Sequence, residues 1–133
     1  VYDIMVNSFE LLKQKEYEFV SRLTTYAQKI EARDEDQEDY LLRTKVNRLI
    51  ALKKLEDEST LNKELKKIKA GTASPIFKLA FAILSDQHIN ILDLVKQAIA
   101  IDELDLNKYN EWPIYDFIRD NSDINSKIET ELK

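Results

Sequence analysis

The side chains that could do chemistry are few and scattered. His88 is the only histidine, and it follows Asp86 and Gln87 in a turn. A general base or metal ligand needs partners held within hydrogen-bond or coordination reach. Nothing in the spacing supplies them, so His88 reads as a turn or capping residue. Carboxylates are plentiful, and helical bundles can build a di-metal centre from Glu residues joined to Glu-x-x-His pairs. No Glu-x-x-His occurs in the chain. Most acids lie in connectors or beside lysines at helical spacing, as Glu64 does with Lys67. That is the pattern of a surface pair worth about 0.2–0.5 kcal/mol. The densest acidic run, 31–39, holds six acids and one Arg. A calcium loop needs a glycine at its sharp bend. This run has none, so it reads as a solvated connector or an exposed first helical turn. The single glycine, Gly71, cannot build a phosphate-cradling loop, and no Gly-x-Ser-x-Gly elbow is present. There is no cysteine, which removes thiolate nucleophiles, disulfides and thiolate metal sites. The expectation is a protein that is not an enzyme and holds no cofactor and no metal.

The elements that would position any site are helical. One glycine and two prolines in 133 residues are too few for sheets joined by tight turns. The apolar fraction of 44% is that of a chain able to bury a core, which argues against disorder. No apolar run approaches the ~20 residues needed to span a bilayer, and no signal peptide is visible. The absence of cysteine fits a reducing, cytoplasmic compartment. The chain starts on Val and is expected to be a piece of a longer protein. A net charge of −5 disfavours nucleic acid, with one basic cluster at Lys63, Lys66, Lys67 and Lys69.

The spacing predicts helices over about 2–14, 18–32, 38–55, 58–70, 75–84 and 88–101, a short one to about Arg119, and a last one over 124–132. In the second, Phe19, Val20, Leu23, Tyr26, Ala27 and Ile30 form one stripe expected to be buried. The fourth carries a narrow stripe of Leu61, Leu65 and Ile68. Gly71 suits a left-handed helix end, and Ser74-Pro75 suits an N-cap followed by proline at the first helical position. The fifth, IFKLAFAIL, is apolar nearly all round and must be covered from the C-terminal side. The aromatic region from Tyr109 to Phe117 reads as the core that seals it.

Three helix pairs superpose. Leu11–Tyr17 (LLKQKEY), Leu52–Glu58 (LKKLEDE) and Ala82–His88 (AILSDQH) each end a first helix and enter a turn. Val20, Leu61 and Ile91 then align, as do Ala27, Ile68 and Ala98. The pattern resembles tetratricopeptide (TPR) repeats, pairs of helices with a period of about 34 residues. The best local matches are Val46–Asp57 and Lys96–Asp102. The resemblance implies an all-α array of three antiparallel pairs, over about 2–32, 38–70 and 74–102, with 103–133 as a cap on a single domain. Leu49 and Leu79 stand where the family favours Gly or Ala, and only Ser8 stays small. The family's closing proline is missing.

The resemblance also implies a concave groove lined by the first helix of each pair. Arg43, Asn47 and Lys54 would then point into it as the partner-binding face. Asn47 stands where carboxylate-clamp members of the family keep an asparagine, but the next first helix offers only Lys78 as a basic residue, so the clamp is incomplete. The expected function is a protein-interaction module that binds a peptide or protein segment, weakened by Arg43→Glu or Asn47→Ala without unfolding. The alternative is a small acidic regulator, antitoxin- or immunity-like, that masks a basic partner. Tyr2, Met5 and Phe9 would face outward at the N-terminal end, which points to missing upstream sequence or to self-association there. No membrane association is expected.

Overall fold

The computed structural model describes residues 1–68 and 73–133. Among them there is no strand; the protein is all-α. In order come α1 (Tyr2–Lys13), α2 (Tyr17–Ala27), α3 (Glu35–Lys54), α4 (Glu58–Leu65), α5 (Pro75–Leu84), α6 (Ile91–Ala100), α7 (Leu106–Glu111), a 3-10 turn (Pro113–Tyr115), α8 (Asp116–Arg119) and α9 (Ser122–Leu132). None of the described helices is long and apolar enough to cross a membrane. The chain divides into two compact units, Val1–Lys66 and Lys67–Lys133. The division falls inside the stretch read above as the second repeat. α4 stops short of the expected Ala70, with Lys66 and Lys67 already in a turn, while Gly71 and the rest of that expected helix end lie outside the described residues, as does Lys69 of the basic cluster. The described part of α4 closes at Leu65.

The first unit is built on α3. It packs against α1, α2 and α4. Every residue from Val46 to Leu52 is buried. The helix begins earlier than the spacing predicts because Asp34 caps it, its Oδ1 accepting from the Gln37 N–H at 2.9 Å. The Gln37 side chain in turn accepts from the Arg33 N–H. Glu35, Asp36 and Glu38 then occupy the first turn, where the helix dipole favours negative charge. Half of the acidic run is therefore helix, not connector.

The three segments that align in sequence close in the same way. The N–H of Glu16 donates to the Leu11 carbonyl, Asp57 to Leu52 and Gln87 to Ala82, at 2.9, 3.0 and 2.9 Å. One residue earlier, Lys15, Glu56 and Asp86 sit at φ 61, 59 and 57° and bond back to Leu12, Lys53 and Ile83. These are Schellman turns. A fourth ends α6, at Asp102 with φ 64°. Glycine prefers that conformation; a residue with a Cβ pays about 1–2 kcal/mol for it. Part of that is offset by glycine's greater freedom when unfolded. Lys15→Gly and Glu56→Gly are each expected to stabilise the first unit by about 0.5–1 kcal/mol, adding in the double variant. Urea unfolding curves would check this.

In the second unit α5 is buried at Ile76, Phe77, Leu79, Ala80, Phe81, Ile83 and Leu84. It is covered by α6, the 3-10 turn and α8, with α9 packed on α6 and α8. The aromatic region is core, as its density suggested. Tyr109, Ile114, Tyr115 and Ile118 are at most 1% exposed. The Tyr115 ring sits 4.9 Å from Tyr109 and 6.1 Å from Trp112, the latter edge-on. Pro113 starts the 3-10 turn. Ser74 precedes Pro75 at the N-cap position but makes no capping hydrogen bond with its side chain.

Candidate functional site

Arg43, Asn47 and Lys54 all lie on α3, and the structure separates them. Arg43 is half-exposed and donates through Nε to Asp39 Oδ2 at 2.8 Å, one turn back. Lys54 is half-buried in the last turn. Asn47 is 2% exposed, and its amide donates to Ser8 Oγ at 3.0 Å, joining α3 to α1. Ser8 is itself sealed and donates to the Met5 carbonyl. Asn47 is therefore a core group, not a member of an open face. Removing a buried hydrogen bond leaves its partner unsatisfied, at about 1–3 kcal/mol. Asn47→Ala is thus expected to cost the first unit about that much stability, which chemical denaturation would read directly; the sequence expectation was a loss of binding alone.

The largest correction concerns Glu64. It is 6% exposed, where the spacing with Lys67 suggested a surface pair. Arg48, 8% exposed, donates through Nε to Glu64 Oε1 at 2.9 Å. Lys45 Nζ reaches the same oxygen at 3.0 Å, and the Gln28 amide also donates to it. Arg48 Nη1 donates to the Ser21 carbonyl at 2.7 Å and to Thr25 Oγ1 at 3.0 Å. One guanidinium thus ties α2, α3 and α4 together. Burial by itself would raise the Glu64 carboxyl, but the hydrogen bonds and charges of Arg48 and Lys45 outweigh it and hold the group below its ordinary value of 4.5.

Sequence reasoning missed this cluster although a signal was present. Arg48 falls on the stripe Leu41, Thr44, Leu52, and Glu64 is one helical turn after Leu61. A single opposite charge on each of two apolar stripes, in successive helices, is the pattern of a buried pair.

Beside the cluster is a cavity of about 190 Å³ lined by Thr24, Ala27, Gln28, Ile30, Leu41, Thr44, Lys45 and Arg48. On the outside of α2 the predicted stripe splits in two. Val20, Thr24 and Ala27 are buried. Phe19, Tyr26 and Ile30 are 56, 77 and 36% exposed. The reason is angular: α1 and α3 leave α2 covered on the arc carrying positions 20, 24 and 27, and Phe19 and Tyr26, each one residue earlier, lie about 100° round the helix, while Ile30 lies past its end. Arg22 stacks over the Phe19 ring at 5.9 Å.

In the second unit, Tyr109 donates its hydroxyl to Asn125 Oδ1, and Arg119 bonds both Asp116 and the Tyr109 carbonyl. Burial raises the Tyr109 phenol; the Arg119 charge opposes this and that of Glu129 adds to it. The network joins α7, α8 and α9. His88 is exposed in the turn before α6, which starts three residues later than the spacing predicts. Among the described residues no group of three or more His, Cys, Asp or Glu side chains is placed to hold a metal ion.

No protein-family model matches the chain, and neither a curated protein nor a solved structure does.

Proposed function

We propose that the chain is a protein-interaction module, of TPR-like helix pairs, that captures a segment of a protein partner. The observation that supports this best is the outer face of α2. Phe19 and Tyr26, with half-buried Leu23 between, recur at i, i+4 and i+7 and stay open, and Ile30, just past the end of α2, is 36% exposed. Aromatic side chains left exposed at helical spacing are the anchors that amphipathic partners use. This moves the contact surface from α3 to α2. In this reading Arg43 and Lys54 are secondary contacts on α3, and Asn47 supports α3 from inside. The protein would work in a reducing, cytoplasmic setting.

A second reading, the acidic regulator that masks a basic partner, is favoured by one observation. Glu31, Asp34, Glu35, Asp36 and Glu38 are all exposed. The two readings differ in salt dependence, since exposed charge pairs are screened within about 8–10 Å at physiological ionic strength.

The test compares baits on extract from the native host. Wild type is expected to retain a partner that the double variant Phe19→Ala/Tyr26→Ala retains at least about tenfold less. The α2 assignment fails if the double variant retains it equally and Arg43→Glu does not. Capture lost in moderate salt, but indifferent to both variants, selects the acidic reading.

A further inference from the structure

The residues that line the cavity beside Arg48 carry unspent hydrogen-bond donors. Arg48 Nε and Nη1 are engaged, but Nη2 has no acceptor among the described residues. It is not sealed from solvent either, because Ser74 Oγ is the only described buried side-chain polar atom without a partner. Lys45 Nζ spends one bond, on Glu64, and its side chain is 25% exposed. Both residues line the cavity, as does Gln28, whose amide has a second N–H. Two cations against one carboxylate leave this wall with one positive charge in excess. Ala27, Ile30 and Leu41 make the remaining wall apolar. The Thr24 and Thr44 hydroxyls already donate to the Val20 and Tyr40 carbonyls, so they offer only acceptors.

Size and charge narrow the ligand. Cofactor and drug pockets run to about 300–1,000 Å³. At about 190 Å³ the cavity takes one side chain or a short acid, not a nucleotide. A single excess charge matches a monoanion and leaves a polyanion uncompensated. We infer that this cavity binds a carboxylate carried on a short apolar stem, the oxygens on Lys45 Nζ and Arg48 Nη2 and the stem against Ala27, Ile30 and Leu41. The carboxylate could belong to a free short-chain acid or to an acidic side chain of a bound polypeptide. The site shares Ile30 with the surface proposed above but involves neither Phe19 nor Tyr26.

The probes are sodium butyrate, n-butylammonium chloride at matched ionic strength, and a capped tripeptide with a central Glu, each titrated into the full chain while amide and side-chain NMR shifts are followed. Saturable shifts at Thr24, Ala27, Lys45 and the Arg48 Nε–H are expected with butyrate and absent with butylammonium. Lys45→Gln is expected to weaken binding about tenfold, the scale of one charge-assisted hydrogen bond, and Lys45→Arg to retain it. Tighter binding of the tripeptide identifies a polypeptide source, and equal or weaker binding a free acid. Linear shifts, an equal response to butylammonium, or undiminished affinity in a Lys45→Gln protein of wild-type melting behaviour would overturn the site. Should Lys45→Gln not fold, failure of the folded Lys45→Arg protein to bind would overturn it equally.

Discussion

Arg48→Ala is expected to lower the stability of the first unit by about 3–5 kcal/mol, the range for breaking a buried ion pair from one side. The loss comes from what stays behind. Glu64, 6% exposed in the intact protein, keeps among the described residues only Lys45 and the Gln28 amide as donors, and the Ser21 carbonyl and Thr25 hydroxyl lose theirs. Lys45 partly compensates, which favours the lower end. Removing both charges behaves differently, because the desolvation cost disappears along with the attraction. Arg48→Met/Glu64→Leu should therefore recover most of the loss, and a double-mutant cycle in urea measures the difference. The pair also sets an acid limit. The Glu64 carboxyl is depressed in the folded protein, so the folded state binds the proton less readily than the unfolded chain. Its contribution is fully present above the ordinary value of 4.5 and is lost as the pH falls through the lowered folded value. Glu64→Gln should be destabilised at neutral pH, and its gap from wild type should narrow on acidification. A gap constant with pH would sink this assignment.

Tyr115→Ala is expected to cost the second unit about 3–5 kcal/mol, as for other large aromatic-to-alanine changes in a core. The ring is 1% exposed and bridges Tyr109 and Trp112. Its 3-10 turn packs on α5, covering part of the apolar surface that α6 and α8 leave open. The cavity left cannot collapse easily, since Pro113 restrains the backbone on one side and α8 begins directly on the other. Hydrogen exchange would localise the effect: amides of α5 and α8 should lose protection. Full protection there, with exchange gained only in α7, would show that the ring stabilises a local loop and not the core.

Much of the fold was legible because helix periodicity, caps and turns are local. Pro75 at the first turn of α5, the near-uniform apolarity of that helix and the aromatic cover all read directly from spacing. So did the three turns at Lys15, Glu56 and Asp86, although none carries glycine; the alignment of their flanking residues found them. Boundaries slipped where a cap lay inside a charged run, as Asp34 does.

The site was less legible, for a different reason. Spacing tells which residues share a helix face, and it places Arg48 with Thr44 and Leu52. It does not tell how wide an arc the neighbouring helix covers, and that width left Phe19 and Tyr26 outside while taking Ala27 in. Nor does it tell which charges on separate helices meet. Glu64 and Arg48 are sixteen residues apart, and only the packing of α4 on α3 brings them to 2.9 Å. The packing of α1 on α3 likewise turned Asn47 from a groove residue into a core one. The sequence by itself determined an all-α chain, its turns and its apolar faces, because each depends on neighbours within a turn or two. Tertiary structure alone decided which of those faces stayed open and which charges were buried, because desolvation depends on what the rest of the chain lays over them.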